Sequence, residues 1–190
     1  TCSSDLHLIE TDAHLTGSVA VFVDHTGERS MVSGHGADFY LMPQELPRTA
    51  IRTAAHLHMT AWSFFVDPPR AAARAAALTA RDAGATLSFD PGSFQMIGEM
   101  GVPQFLAVTQ DLGIDILLPN KEEGSMLTGG LTDPQEIAAS LAELYRGALV
   151  MLKLDAAGAL VYENGRATHI PAGTNNLVDA TGAEIGRAHV

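Results

Sequence analysis

Cysteine is almost missing from this chain of 190 residues: Cys2 stands alone. No internal disulfide can therefore form, and no cysteine-rich zinc site can be built. Aromatic residues are sparse at 6%, while alanine and glycine are abundant, a balance that suits helices packed closely on a sheet better than an aromatic-rich sandwich. Basic residues are scarce as well. Their total of 11 against 22 acidic residues leaves a formal charge of -11, which argues against a general nucleic-acid surface. It leaves a phosphorylated ligand open, because a phosphate site needs local N–H donors rather than global positive charge. No run reaches the roughly 18 apolar residues of a membrane span, and no signal peptide opens the chain. A soluble cytoplasmic protein is the expectation.

Several catalytic signatures are lacking too. There is no Gly-x-Ser-x-Gly elbow, residues 124–130 lack the lysine of a P-loop, and no Gly-x-Gly-x-x-Gly fingerprint occurs. Histidine is plentiful at eight, and an extended backbone would put His56 and His58 on one face. No acid or third histidine stands near them in a ligand spacing, and His7, His14, His25 and His35 are scattered. A zinc enzyme is not expected.

What is present is an alternation. With 46% apolar residues the chain can bury one real core. Residues 17–23 and 28–32 read as a hairpin closed by the Gly27 turn. Residues 43–55 read as helix, and 56–60 as a short strand or that helix's last turn. Asp67 is a candidate cap for an alanine-rich helix over 70–83 that stops at Gly84. Residues 86–89, 114–118 and 149–154 read as strands, with a helix over 103–112 stopped by Gly113. Asp133-Pro134-Gln135-Glu136 reads as a capping box opening a further helix. Hairpin grammar returns at 158–162 and 166–170. This rhythm predicts an α/β fold: a mostly parallel sheet with helices on both faces and a small separate β hairpin.

In open α/β sheets ligands bind beyond the carboxyl ends of the strands. That rule singles out Asp90, Asn120 and the residues around Asp155. Asp90 can equally be a turn former. Asn120, followed by Glu122 and Glu123, can orient water around a hard cation such as magnesium, or simply cap a helix. Lys153 interrupts a run that should be buried, so it needs an anion, for which a phosphate would serve, or must snorkel outward. Residues 178–183 offer small residues, a hydroxyl and an acid at what could be a helix start, the setting of an anion site.

Taken together these segments resemble the ribokinase-like (PfkB) carbohydrate kinases. Val23-Asp24-His25-Thr26-Gly27-Glu28-Arg29 resembles the family's Asp-x-x-Gly-Glu-Arg hairpin. Asn120-Lys121-Glu122-Glu123 and the trailing Leu127-Thr128-Gly129 resemble its Asn-x-x-Glu and Leu-x-Gly elements. Residues 153–159 resemble its apolar strand and Gly-x-x-Gly turn, with Asp155 where a glycine is usual and Gly158 retained. Val178-Asp179-Ala180-Thr181-Gly182-Ala183 resembles the entry to the signature Asp-Thr-Thr-Gly-Ala-Gly-Asp.

The resemblance implies a partial domain over 1–183 of a three-layer ribokinase-like fold, with a lid hairpin at about 17–35. It implies ATP-dependent phosphorylation of a sugar or sugar-like hydroxyl. ATP would meet Asn120, Glu123, Lys153, Asp155, Gly158, Thr181, Gly182 and Ala183; Glu123 and Asn120 would arrange Mg2+, and Asp179 a monovalent cation such as K+. Dimerisation through the lid is also implied. The signature's last Gly and Asp would fall at 184 and 185, where Glu184 and Ile185 stand. The family's general base is therefore expected to be missing and the chain inactive as written. Residues 184–190 have neither helical nor strand periodicity and are read as a non-native tail from sequencing-adapter read-through. The rival readings are a Rossmann-like nucleotide- or metabolite-binding domain without transferase activity and a periplasmic sugar-binding domain.

Overall fold

The computed structural model describes residues 7–25 and 29–173. Its core is a six-stranded sheet whose strands lie side by side in chain order. Strands β3 (His56–Thr60), β4 (Thr86–Asp90), β5 (Ile116–Leu117) and β6 (Leu149–Lys153) are parallel. Strands β7 (Ala159–Glu163) and β8 (Arg166–Ile170) complete it as an antiparallel meander. Their turn is Asn164-Gly165, both at positive φ, the two-residue loop that matches strand twist. Apart from this sheet, β1 (Ser18–Val23) and β2 (Arg29–Gly34) form the expected separate hairpin, with Ser18 opposite Gly34 and Val23 opposite Arg29.

Strand alternation decides the core. Leu87, Phe89, Leu117, Val150 and Leu152 have no exposed surface, and all belong to one core cluster with the helices. Helix α2 (Pro69–Asp82) crosses from β3 to β4 and turns Ala72, Ala76, Ala77 and Ala80 inward. Those methyl-sized side chains let the helix approach the sheet closely. Helices α3 (Phe94–Met100) and α4 (Val102–Thr109) connect β4 to β5. Helices α5 (Lys121–Leu127) and α6 (Pro134–Leu144) connect β5 to β6. Asp133 caps α6 by accepting from the Gln135 and Glu136 N–H groups through Oδ1.

The expected α/β fold, a mostly parallel sheet with helices and a separate β hairpin, is the one found. Helices α2 to α6 all contribute side chains to the core cluster that contains Leu87, Phe89, Leu117, Val150 and Leu152. Right-handed crossovers between parallel strands laid down in one direction bring their connecting helices together in this way. The opposite face carries Ile116, Met151 and Val161, half-buried, with His56 and His58 exposed toward its β3 edge. Both imidazoles reach the Ser88 hydroxyl at 2.7 Å. Among the described residues no helix is long and apolar enough to cross a membrane.

Two local expectations change, and one left open is resolved. Residues 43–55 are not one helix but a 3-10 turn, Pro43–Glu45, and a short α1 (Arg48–Thr53). Pro47 separates them, since it removes an N–H and disfavours helix at the residue before it. Residues 56–60 are strand, not a helix end. Asp67 does not cap α2: Pro68 stands at the cap, and Asp67 instead pairs with Arg70 at 3.3 Å. Helix α3 was not anticipated, although Ser93 signals it by accepting from the Met96 N–H.

Helix α5 is pressed against its neighbours at Gly124, where an added Cβ would lie 2.6 Å from Ile137 Cγ2 and 3.2 Å from Leu152 Cδ1. Gly124→Ala should therefore cost about 1–3 kcal/mol of stability through overpacking, despite alanine's better helix propensity. Chemical denaturation measures this, and an unchanged midpoint would show that α5 does not sit this close.

Candidate active site

The parallel register brings the carboxyl ends of β3 to β6 to one rim. Thr60 lies opposite Asp90, and just beyond β5 Asn120 bridges to Lys153. The Lys153 N–H donates to the Pro119 carbonyl at 2.8 Å, which fixes the loop after β5 against the end of β6. Across this rim the Lys153 ammonium donates to Asp90 Oδ2 at 2.7 Å, bridging β4 and β6 above the end of β5. Asp90 Oδ1 accepts from the Gly92 N–H at 3.0 Å. Asp90 is thus a turn former and an ion-pair partner at once. Lys153 has found a carboxylate rather than pointing outward unpaired.

Asn120 and Glu123 form a reciprocal capping box at the start of α5. Asn120 Oδ1 accepts from the Glu123 N–H at 2.7 Å, and Glu123 Oε2 accepts from the Asn120 N–H at 2.8 Å. The helix-capping geometry weighed for Asn120 is present, with its amide oxygen accepting inside the box. Glu123 is only 2% exposed. Desolvation pushes its carboxyl above the usual 4.5; Asp90 and Glu122 push the same way, while the Asn120 N–H and Lys153 hold it down. Burial wins.

The turn after β6 is structural in character. Asp155 has φ 50, the left-handed region, which agrees with its standing where the resemblance has glycine and which aspartate tolerates better than most residues. At Gly158 φ is 94, and a Cβ would lie 2.1 Å from the Ile170 carbonyl oxygen. Only glycine fits there. Asp179, Thr181, Gly182 and Ala183 lie outside the described residues. The site thus assembles Asp90, Asn120, Glu123 and Lys153, with Asp155 and Gly158 following directly. What residue reading missed is the Asp90–Lys153 pair. Its signal was available: Lys153 is one of two lysines in the chain and ends a strand two places from the one Asp90 ends. A hollow lined by Arg48, Arg52, Thr79 and Asp82 lies by the carboxyl end of α2, at the opposite rim.

Parallel strands with oxygen donors at their carboxyl rim, beside a separate β hairpin, make this rim the candidate ligand site of an α/β fold. The comparisons with known proteins give the family. The chain belongs to the pfkB family of carbohydrate kinases, whose pattern matches residues 4–183. It is 29% identical over 180 residues to a fructokinase of Escherichia coli and 27% identical over 179 to one of Salmonella typhimurium. Those alignments cover 93% of this chain and 58% of each relative, so the chain spans little more than half their length. Among solved structures, adenosine kinase from Sinorhizobium meliloti aligns at TM-score 0.79 and 24% identity, over 90% of this chain and 51% of that one. An E. coli protein described as a putative ribokinase II in complex with ATP and Mg2+ aligns at 0.73 and 24%, over 90% and 55%. The fold is ribokinase-like.

The raised Glu123 pKa has a calculable sign. A carboxyl that holds its proton more tightly when folded loses stability as pH rises from 4.5 through its folded value. Glu123→Gln keeps an oxygen to accept the Asn120 N–H but carries no charge. The variant should be more stable than wild type at pH 7–8, with the difference vanishing below pH 4.5. Thermal melts across pH decide it, and a variant less stable at neutral pH would reverse the assignment of burial as the dominant cause.

Proposed function

We propose that the protein containing this chain transfers the γ-phosphoryl group of ATP to a hydroxyl of a sugar or sugar-like alcohol, in the cytoplasm. The observation that carries this reading is the rim: a buried Glu123 and the Asp90–Lys153 pair at the strand ends of a pfkB-family chain. Fructose is the first substrate to test, because fructokinases recur among the relatives. A Rossmann-like binding domain without transferase activity is the less favoured reading, since it has no need of a buried, destabilised carboxylate at this place.

The donors at the rim are carboxylate and amide oxygens, which suit a hard cation. Glu123 and Asp90 are the residues that would hold Mg2+, through water, and the ion would supply charge neutralisation on the phosphates. Asn120 acts indirectly, by fixing Glu123 through the capping box. Lys153 balances Asp90 and sets its orientation; when phosphate arrives it is the cation placed to share it. Asp155 and Gly158 shape the turn beside this cation. Catalysis then rests on position and charge stabilisation. The monovalent cation at Asp179, the phosphate contacts of Thr181, Gly182 and Ala183, and pairing of two copies through the hairpin remain parts of the proposal carried by the resemblance.

Two measurements test it. In the chain extended to the length of its relatives, Glu123→Gln should lower kcat for sugar-dependent ADP release by about tenfold or more with little change in sugar KM. Unchanged turnover at limiting magnesium would remove Glu123 from the site. The 190 residues as written should show no such release, because Glu184 and Ile185 stand where the resemblance puts glycine and the base, and a positioned base contributes roughly 10²–10⁴-fold. Turnover within about tenfold of the extended protein would overturn that assignment.

A further inference from the structure

The hairpin and the rim meet through one side chain. The roots of β1 and β2 cross at Gly17 and Gly36, where a Cβ on Gly36 would sit 2.0 Å from the Gly17 nitrogen. The Ala37 N–H donates to the Leu15 carbonyl at 2.8 Å and closes this crossing. Asp38 follows at once. Its Oδ1 lies over Gly17, 2.9 Å from where a Cβ would be, and its Oδ2 accepts the indole N–H of Trp62 at 3.2 Å. Trp62 stands two residues after the end of β3, on the same rim as Asp90, and the neighbouring Ala61 nitrogen is 3.9 Å from the Cβ position of Gly92.

Rings reinforce the contact. Phe39 meets Trp62 edge-on at 5.8 Å, and Trp62 meets Phe65 edge-on at 6.4 Å, so the chain of rings runs from the hairpin root into the sheet. Phe65 in turn stacks on the buried Phe105 at 6.2 Å. The hairpin itself offers little other support, with Val19, Phe22 and Val32 each more than half exposed. Trp62 is the chain's only tryptophan, yet it is 38% exposed while its neighbours Ala61 and Phe64 are fully buried. A residue needed only for the core would not sit there.

We infer that Asp38 and Trp62 form the joint that sets the hairpin's angle over the substrate rim, making Trp62 a positioning residue for the sugar. The inference rests on the sugar-kinase reading above. Asp38 sits against the backbone crossing at Gly17 and accepts the indole N–H beside it. Loss of the carboxylate frees the hairpin to swing, so sugar is held less well and water reaches the phosphoryl group more often. Nucleotide binding, on the other side of the rim, is untouched.

The test uses the chain extended to the length of its relatives, with Asp38→Ala, Trp62→Phe and Asp38→Asn. The first two should raise sugar KM, and raise the share of ADP released without sugar, by about tenfold, the order expected when a positioning contact slips. ATP KM should stay within about twofold. Asp38→Asn keeps an oxygen acceptor and should restore near wild-type values, which a merely structural role would not separate from Asp38→Ala. An active wild type whose Asp38→Ala variant leaves both quantities unchanged overturns the joint alone. A wild type without sugar-dependent ADP release overturns the kinase reading instead. The joint is then read without catalysis from the emission of Trp62 in the 190-residue chain. Asp38→Ala should shift the emission and increase acrylamide quenching, and identical spectra and quenching overturn the inference.

Discussion

Four parallel strands laid down in chain order, each reached by a right-handed crossover, constrain everything else in this molecule. The order brings the connecting helices and the inward strand residues into one core cluster. The parallel direction puts Thr60, Asp90, Asn120 and Lys153 at one rim, although 93 positions separate the first from the last in sequence numbering. No specific side-chain contact is needed to gather them. The ion pair between Lys153 and Asp90 follows from the register: with β5 only two residues long in the ladder, the ends of β4 and β6 can reach each other over it.

The hairpin answers to a different constraint. Among the described strands it pairs only with itself, and its root is a backbone crossing that leaves no room for a side chain at Gly36. Gly36 is extended, at φ -142, so the requirement there is space rather than conformational freedom. At Gly158 both requirements coincide. Small residues thus act at opposite ends of the fold to hold loop against loop, once beside the hairpin and once beside the turn that follows Lys153.

Much of this was legible in the residues, for reasons that differ by element. β4, β6, the β7–β8 meander and α2 announce themselves through apolar alternation, an Asn-Gly turn and a run of alanines. Their stability depends on neighbours those patterns already imply. The helix expected over 43–55 failed because proline at 47 outweighed a favourable composition, and the cap expected at Asp67 failed because Pro68 took the position. The order of the strands could not be read from alternation, since it is a property of the whole sheet. Asn120 and Glu123 were found by their spacing, but the spacing of a capping box and that of a magnesium-organising pair are the same. Only burial separates what the two residues do. The joint between Asp38 and Trp62 had no sequence signal, because the two stand 24 positions apart with a helix between them.

Burial at Glu123 is the strongest argument that this rim is built for chemistry and not for stability alone. A capping box requires an oxygen at the third helical position, and glutamine supplies one without charge. Enclosing a carboxylate to 2% exposure instead carries a desolvation cost that the Asn120 N–H and Lys153 only partly offset, since the net effect on its pKa remains upward. Asp90, close enough to raise it further, makes the arrangement worse for folding. An approaching cation reverses each of these signs. It favours the ionised form of Glu123, turns the neighbouring carboxylate from a repulsive partner into a shared ligand, and recovers the desolvation that folding left uncompensated. The residues that oppose folding at this rim are therefore the ones that a bound cation would stabilise most.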